Sequence, residues 1–154
     1  MTLRTVFLGT APFGFPVMQS LAQHGDVDLK GVITQPDRRR GRGQEDQSPP
    51  VAEYARELDL PLYQPEDVNE DGHDCFDELG PLDLGIVIAY GQILSEEVIA
   101  RPERGFFNFH ASLLPRWRGA APIRHTLTAG DEETGVSVFR LEPELDAGPV
   151  CVKV

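Results

Sequence analysis

Apolar residues in this chain recur in two rhythms. Short runs rich in β-branched and aromatic residues read as strands: TVFLG at 5–9, DLKGVITQ at 28–35, LDLGIVIAYG at 82–91, FFNFH at 106–110, TGVSVFRLE at 134–142 and PVCVKV at 149–154. PLYQP at 61–65 predicts a further short strand. Between them, apolar residues at helical intervals predict helices over 12–25, 50–60, 95–102 and 121–130, and the acidic stretch 65–79 predicts helix and loop. Ser95, followed by Glu96 and Glu97, has the chemistry of a helix cap, and Pro102 ends that helix. QPDRRRGRGQEDQSPP at 35–50 has no apolar period and reads as a polar loop.

Strands alternating with helices predict an α/β fold: a Rossmann-like, mostly parallel sheet with helices on both faces. Ligands of such sheets bind outside the carboxyl ends of the strands, which is where Tyr90, Gly91 and His110 fall. The last run still reads as strand and no helix follows to cover it. We therefore expect a domain truncated at its C-terminal end.

Within FFNFH, alternation puts Phe107 and Phe109 on one face and Asn108 and His110 on the other. An amide and an imidazole thus emerge together where the strand stops. They can hold a developing oxyanion beside a group that titrates near neutral pH, or simply satisfy loop backbone groups. Asp146, in L-D-A-G-P at 145–149, could hydrogen-bond His110, fixing its tautomer and stabilising the imidazolium, or could close an Asx turn. A hydrolase triad of Ser112, His110 and Asp146 would need a sharp bend and lacks a nucleophile elbow.

Composition narrows the classes. A chain of 154 residues is long enough for one domain with a real core. No apolar run reaches the length of a membrane span, and the first residues lack the features of a signal peptide, so a soluble cytoplasmic protein is expected. Cys75 and Cys151 stand far apart, which predicts two free thiols. The four histidines have no metal-ligand spacing; His24 and His73 read as structural, and His125 as a surface or packing residue. GTAPFG at 9–14 is neither a dinucleotide fingerprint nor a P-loop and reads as a strand-to-helix turn.

The net charge of −11 argues against a polyanionic partner, but its distribution does not. Of 14 Lys and Arg residues, Arg38, Arg39, Arg40 and Arg42 share one loop, and Arg116, Arg118 and Arg124 follow the Asn/His strand. Such clusters on an acidic body fit either a solvated loop or a groove that accepts one polyanion.

Four segments together resemble one family: QPDRRRGRG at 35–43, AYGQIL at 89–94, NFHASLLPRWRGAAPI at 108–123 and LDAG at 145–148. They resemble the catalytic domain of the methionyl-tRNA formyltransferase family, a branch of the folate-dependent formyltransferases. The likeness runs from the first strand to the last residue. It implies formyl transfer from 10-formyltetrahydrofolate to the amino group of methionyl initiator tRNA, by a monomer with no metal. By motif match, Asn108, His110 and Asp146 form the catalytic set. Folate is expected along Ala89, Tyr90, Gly91, Gln92, Ile93 and Leu94 and at the turn Ser112, Leu113, Leu114 and Pro115. Transfer RNA is expected at Arg38, Arg39, Arg40, Arg42, Arg116 and Arg118. The implied domain, 1–154, is incomplete and lacks the family's C-terminal tRNA-binding barrel. Two departures stand out: GTAPF replaces the family's usual G-T-P-x-F, and Gln44, Glu45 and Asp46 stand where lysines usually follow the basic loop. A formyltransferase acting on an amino sugar or other small amine, and an inactive folate-binding fragment, are the alternatives.

Overall fold

Residues 2–40 and 45–154 are described by the computed structural model. The order along the chain is β1 (Leu3–Gly9), a 3-10 turn (Pro12–Gly14), α1 (Phe15–Gln23), β2 (Val27–Ile33), β3 (Arg38–Arg40), β4 (Glu45–Gln47) and α2 (Pro50–Glu57). Then come β5 (Leu62–Tyr63), α3 (Gly72–Leu79), β6 (Leu84–Ile88), α4 (Glu96–Ile99), β7 (Phe106–His110), α5 (Pro122–Ala129), β8 (Ser137–Arg140) and β9 (Val150–Lys153). The main sheet has seven strands in the order β5-β2-β1-β6-β7-β8-β9. The first five are parallel, and β8 and β9 join antiparallel.

The parallel strands divide their residues between two cores, as the pleat requires. Val6 and Leu8 of β1, Val87 of β6 and Phe106 of β7 pack with Phe76 of α3 and Val98 of α4. Phe7, Ile86 and Ile88 point the other way, toward Met18 of α1 and Val51 of α2, with Phe107 and Phe109 against the same cluster. Helices therefore cover both faces, and the alternation read within FFNFH is realised.

Two local features follow directly from residue type. The Ser95 side chain accepts a hydrogen bond from the Val98 backbone N–H at 3.3 Å, capping α4. The stretch 35–50, expected to be loop, instead contains a short antiparallel pair in which Arg38 faces Gln47 and Arg40 faces Glu45. No apolar period betrays this hairpin because it lies outside the main sheet and has no face to bury. Its base is tied down by polar groups: Ser48 Oγ donates to Asp37, Arg56 donates to Ser48 Oγ, and Gln64 Nε2 donates to Asp37 and to the Gln35 carbonyl. The bonds from Gln64 and Ser48 hold the Asp37 carboxyl below its usual range.

Among the described residues, no helix is long and apolar enough to cross a membrane. Cys75 and Cys151 are free thiols.

Candidate functional site

The strand order reverses direction around β1 and β6, and a cavity of about 570 Å³ opens at the carboxyl ends of β6 and β7. Asn108, His110 and Asp146 all line it. Asn108 and His110 arrive on the same face of β7, as their spacing requires. His110 is 7 % exposed, edge-on to Phe139 at 6.4 Å. Its Nε2 lies 2.7 Å from the carbonyl oxygen of Trp117, and its Nδ1 lies 3.7 Å from Asp146 Oδ2, within ion-pair reach. Asp146 is itself held: the Gly119 N–H donates to its Oδ2 at 2.7 Å. The carboxylate thus links the loop after β7 to the loop before β9.

Backbone conformation concentrates here. Of the five described non-glycine residues with positive φ, Ala89, Trp117, Ala121 and Asp146 line the cavity or adjoin it. Such conformations cost about 1–3 kcal/mol each and persist where the surroundings over-determine them. Gly148 explains part of the Asp146 turn. A Cβ there would lie 1.8 Å from the Arg140 carbonyl oxygen, so the loop can return against β8 only with glycine at that position.

The AYGQIL segment enters the cavity unevenly. Ala89, Tyr90, Gly91, Gln92 and Ile93 line it. The Tyr90 side chain, however, is buried in the core. Its hydroxyl has no hydrogen-bond partner among the described residues, and burial pushes its titration up. The Gln92 side chain is spent on a neighbouring loop, accepting from Val68 N–H and donating to the Glu66 carbonyl. Ile93 is 77 % exposed at the rim, while Leu94 is buried away from the cavity.

The turn Ser112–Pro115 does not line the cavity, although Ala111 directly before it does; it builds the loop. Ser112 is buried, its hydroxyl donating to the Arg116 carbonyl at 2.6 Å rather than meeting His110, so the hydrolase triad is not assembled. Ser137 Oγ donates to the Ser112 carbonyl at 2.7 Å and accepts from the Leu114 N–H at 3.0 Å. Leu114 is buried, Leu113 lines a separate surface pocket beside Arg116 and Trp117, and the Leu114–Pro115 peptide is cis.

Sequence reasoning missed the opposite wall. Gly119, Ala120, Ala121, Pro122 and Ile123 form it, and Phe13 and Leu145 complete an apolar rim. Phe13, Ile123 and Leu145 are about half exposed, which for three large apolar side chains around one opening is the signal that could have found them. The small residues of R-G-A-A-P-I also hinted at a surface that something approaches closely.

A second hollow of about 500 Å³ shares Ala89, Tyr90 and Gly91 with the first and runs toward the hairpin, past Pro12, Gln35, Pro36 and Ser48 to Arg38. Arg38 is exposed and pairs with Glu66 at 3.3 Å. Arg39 and Arg40 lie in β3, and Arg42 lies outside the described residues. Of the other arginines expected at RNA, Arg118 approaches Glu144 at 4.0 Å. Arg116 is committed elsewhere, forming a two-pronged pair with Asp131 at 2.7 and 2.5 Å. That pair, reinforced by the Trp117 indole N–H, lowers the Asp131 carboxyl to about 2. Among the described residues, no group of three or more His, Cys, Asp or Glu side chains is placed to hold a metal ion.

Residues 3–154 match the family model described as formyl transferase. The chain belongs to the formyl transferase family. Its relatives include methionyl-tRNA formyltransferase of Parasynechococcus marenigrum (strain WH8102), 45 % identical over 153 residues, which cover 98 % of this chain and 45 % of that protein. The enzyme of the same name from Xylella fastidiosa (strain M12) is 47 % identical over 154 residues, covering 99 % of this chain and 49 % of that protein. The chain therefore spans about half the length of the relatives it matches. Among solved structures, glycinamide ribonucleotide transformylase 1 from Symbiobacterium toebii superposes with a TM-score of 0.80 at 17 % identity, covering 99 % of this chain and 72 % of that one. Phosphoribosylglycinamide formyltransferase from Streptococcus pneumoniae TIGR4 gives 0.74 at 23 % identity, with 100 % and 81 % covered. At those identities the likeness shows the fold, a mostly parallel Rossmann-like sheet.

Proposed function

We propose that residues 1–154 carry the catalytic part of a methionyl-tRNA formyltransferase, which moves a formyl group from 10-formyltetrahydrofolate to the amino group of methionyl initiator tRNA. The observation behind this is the convergence of Asn108, His110 and Asp146 on one apolar-rimmed cavity, in a chain whose relatives at 45–47 % identity carry that name.

The cavity suits a flat, partly apolar donor. Its volume falls in the usual range for small-molecule sites, and exposed Phe13, Ile93, Ile123 and Leu145 surround its mouth. Ala89–Ile93 line the wall that a heterocycle edge would meet, where the Tyr90 and Ile93 carbonyls already accept from Thr10 Oγ1 and Asn69 Nδ2. The folate supplies the formyl carbon when bound. Asn108 donates its amide N–H to the carbonyl oxygen as negative charge develops there; one such donor is worth about 3–4 kcal/mol of barrier. His110 moves a proton between the attacking amine and the departing nitrogen, through the nitrogen that faces Asp146. Asp146 orients that ring and balances its charge when it holds two protons. The second hollow, which shares Ala89, Tyr90 and Gly91 with the first and reaches Arg38, is the approach for the esterified methionine, with the basic hairpin against the RNA backbone.

The test is formylation by the purified chain of methionyl initiator tRNA, compared with free methionine and amino sugars, using 10-formyltetrahydrofolate as donor. Formyl-methionyl-tRNA as the preferred product supports the assignment. Transfer to a small amine in preference to tRNA replaces it, and calorimetric folate binding without turnover to any acceptor leaves a binding fragment.

A further inference from the structure

On the outer side of the loop that follows β7 sits a group of side chains outside the cavity, for which the proposed chemistry gives no role. Trp117 is its centre. The residue has φ 59°, a left-handed conformation that a bulky aromatic side chain adopts only when held there. What holds it is visible. The Arg116 guanidinium lies 4.5 Å from the indole centroid. The His125 ring stacks on the indole at 5.5 Å and 14°. The indole N–H donates to Asp131 Oδ2 at 2.7 Å, and the same carboxylate takes both prongs of Arg116.

The backbone fixed by these contacts is the one that meets the active-site histidine. The Trp117 carbonyl oxygen lies 2.7 Å from His110 Nε2. A carbonyl only accepts, so Nε2 carries a hydrogen in either protonation state of the ring. Nδ1 is then left as the nitrogen that gains and loses a proton, facing Asp146.

We propose that Arg116, Trp117 and Asp131 form a positioning clamp that sets the tautomer and orientation of His110 through the Trp117 carbonyl. None of the three residues lines the cavity. Its catalytic value rests on the function proposed above, whereas its hold on the imidazole does not. Hydrogen-bond partners that orient metal-bound histidines change activity by roughly 10- to 100-fold when removed, and an effect of that order is expected for a histidine held to move a proton.

The experiment separates the two claims. Histidine labelled with nitrogen-15 is incorporated into the chain, and long-range nitrogen–proton spectra are recorded at a pH where His110 is neutral. The wild type is expected to show Nε2 protonated and Nδ1 bare. Asp131→Ala is expected to move both His110 signals toward a mixture of tautomers. The same variant is expected to lower kcat for formyl transfer roughly tenfold, with KM for the folate donor within twofold. Asp131→Glu, which keeps a carboxylate, recovers part of both effects. Should Asp131→Ala unfold, Trp117→Phe keeps an aromatic ring, removes the indole donor with its pyrrole ring, and decides the question by the same spectra. A folded variant whose His110 stays in the wild-type tautomer overturns the clamp, as does a loss confined to folate KM. A wild type that transfers no formyl group refutes the functional proposal alone, and the spectra still judge the clamp.

Discussion

Two segments follow parallel strands at the same edge of the sheet and are built on opposite terms. After β7, the loop through residue 121 is held by buried bonds: Ser137 ties down Ser112 and Leu114, Ser112 closes on Arg116, and Trp117 meets His110. After β2, the hairpin is anchored at its base by a surface network of Asp37, Ser48, Arg56 and Gln64, and Arg38 beyond it pairs with an exposed glutamate. The first design suits bond-making, where a misplacement of an ångström costs orders of magnitude in rate. The second suits a polyanion, whose charge is felt over several ångströms and does not demand one geometry.

The comparison breaks most visibly at His110. Under the proposed function, His110→Ala is expected to lower transfer by about 10²–10⁴-fold, the usual weight of a positioned proton carrier, with folate binding little changed; losing a buried ring bonded to the Trp117 carbonyl is expected to cost about 1–3 kcal/mol of stability besides. Near-normal turnover in that variant would remove His110 from the chemistry and, with it, the reason for so rigid a loop.

A matched pair of deletions sharpens the contrast in rigidity. Ser137 is fully buried and serves two backbone groups, so Ser137→Ala leaves a buried N–H and a buried C=O short of a partner. The expected cost is about 1–3 kcal/mol in denaturant unfolding. Ser48→Ala removes a hydroxyl that also makes two bonds, but at the surface, and is expected to change stability by no more than about 0.5 kcal/mol. Equal losses would mean that the hairpin is as integral to the fold as the loop after β7.

How much of this was readable beforehand follows the same division. Phe107 and Phe109 alternate with Asn108 and His110, so the strand, its buried face and the polar pair were legible from a period of two. The hairpin at 38–47 was not, because strands with no apolar face leave no such trace. Asp146 was legible only as a carboxylate on a permissive loop; its partner lies 36 positions earlier in the chain, and no local pattern spans that distance. Ser112 and Leu114 sit inside the most recognisable motif, yet they hold the loop rather than line the cavity. A motif records that residues matter together, not which of them face the ligand. Arg116 shows a related limit: its charge is visible in a sequence, whereas its pairing with Asp131 is not.

That pair supplies a pH test. The Asp131 carboxyl titrates at about 2 in the folded protein against an ordinary value of 3.8, so between those values the unfolded chain binds more protons. Stability from the pair is therefore complete above about pH 4 and is lost as pH falls through about 2. Asp131→Asn is expected to lower the unfolding midpoint at neutral pH, with the gap from wild type closing as pH drops toward 2. A gap that stays constant across that window would place the pair outside the energetics of the loop.

The smallest expected effect separates the arginines themselves. Arg38 and Glu66 are both largely exposed, and such a pair is worth about 0–1 kcal/mol, so Arg38 can exchange its glutamate for a phosphate at little cost. Arg116 would have to abandon two short bonds to Asp131 to do the same. Under the proposed function, Arg38→Ala is therefore expected to weaken tRNA binding severalfold and to flatten the dependence of log affinity on log salt by about one, with folate affinity and stability unchanged. Arg116→Ala is expected to leave that salt slope alone and to act on stability and turnover. An Arg116→Ala variant with the flattened slope would move the RNA contact onto the catalytic loop, and the division of labour between rigid chemistry and adjustable charge would no longer hold.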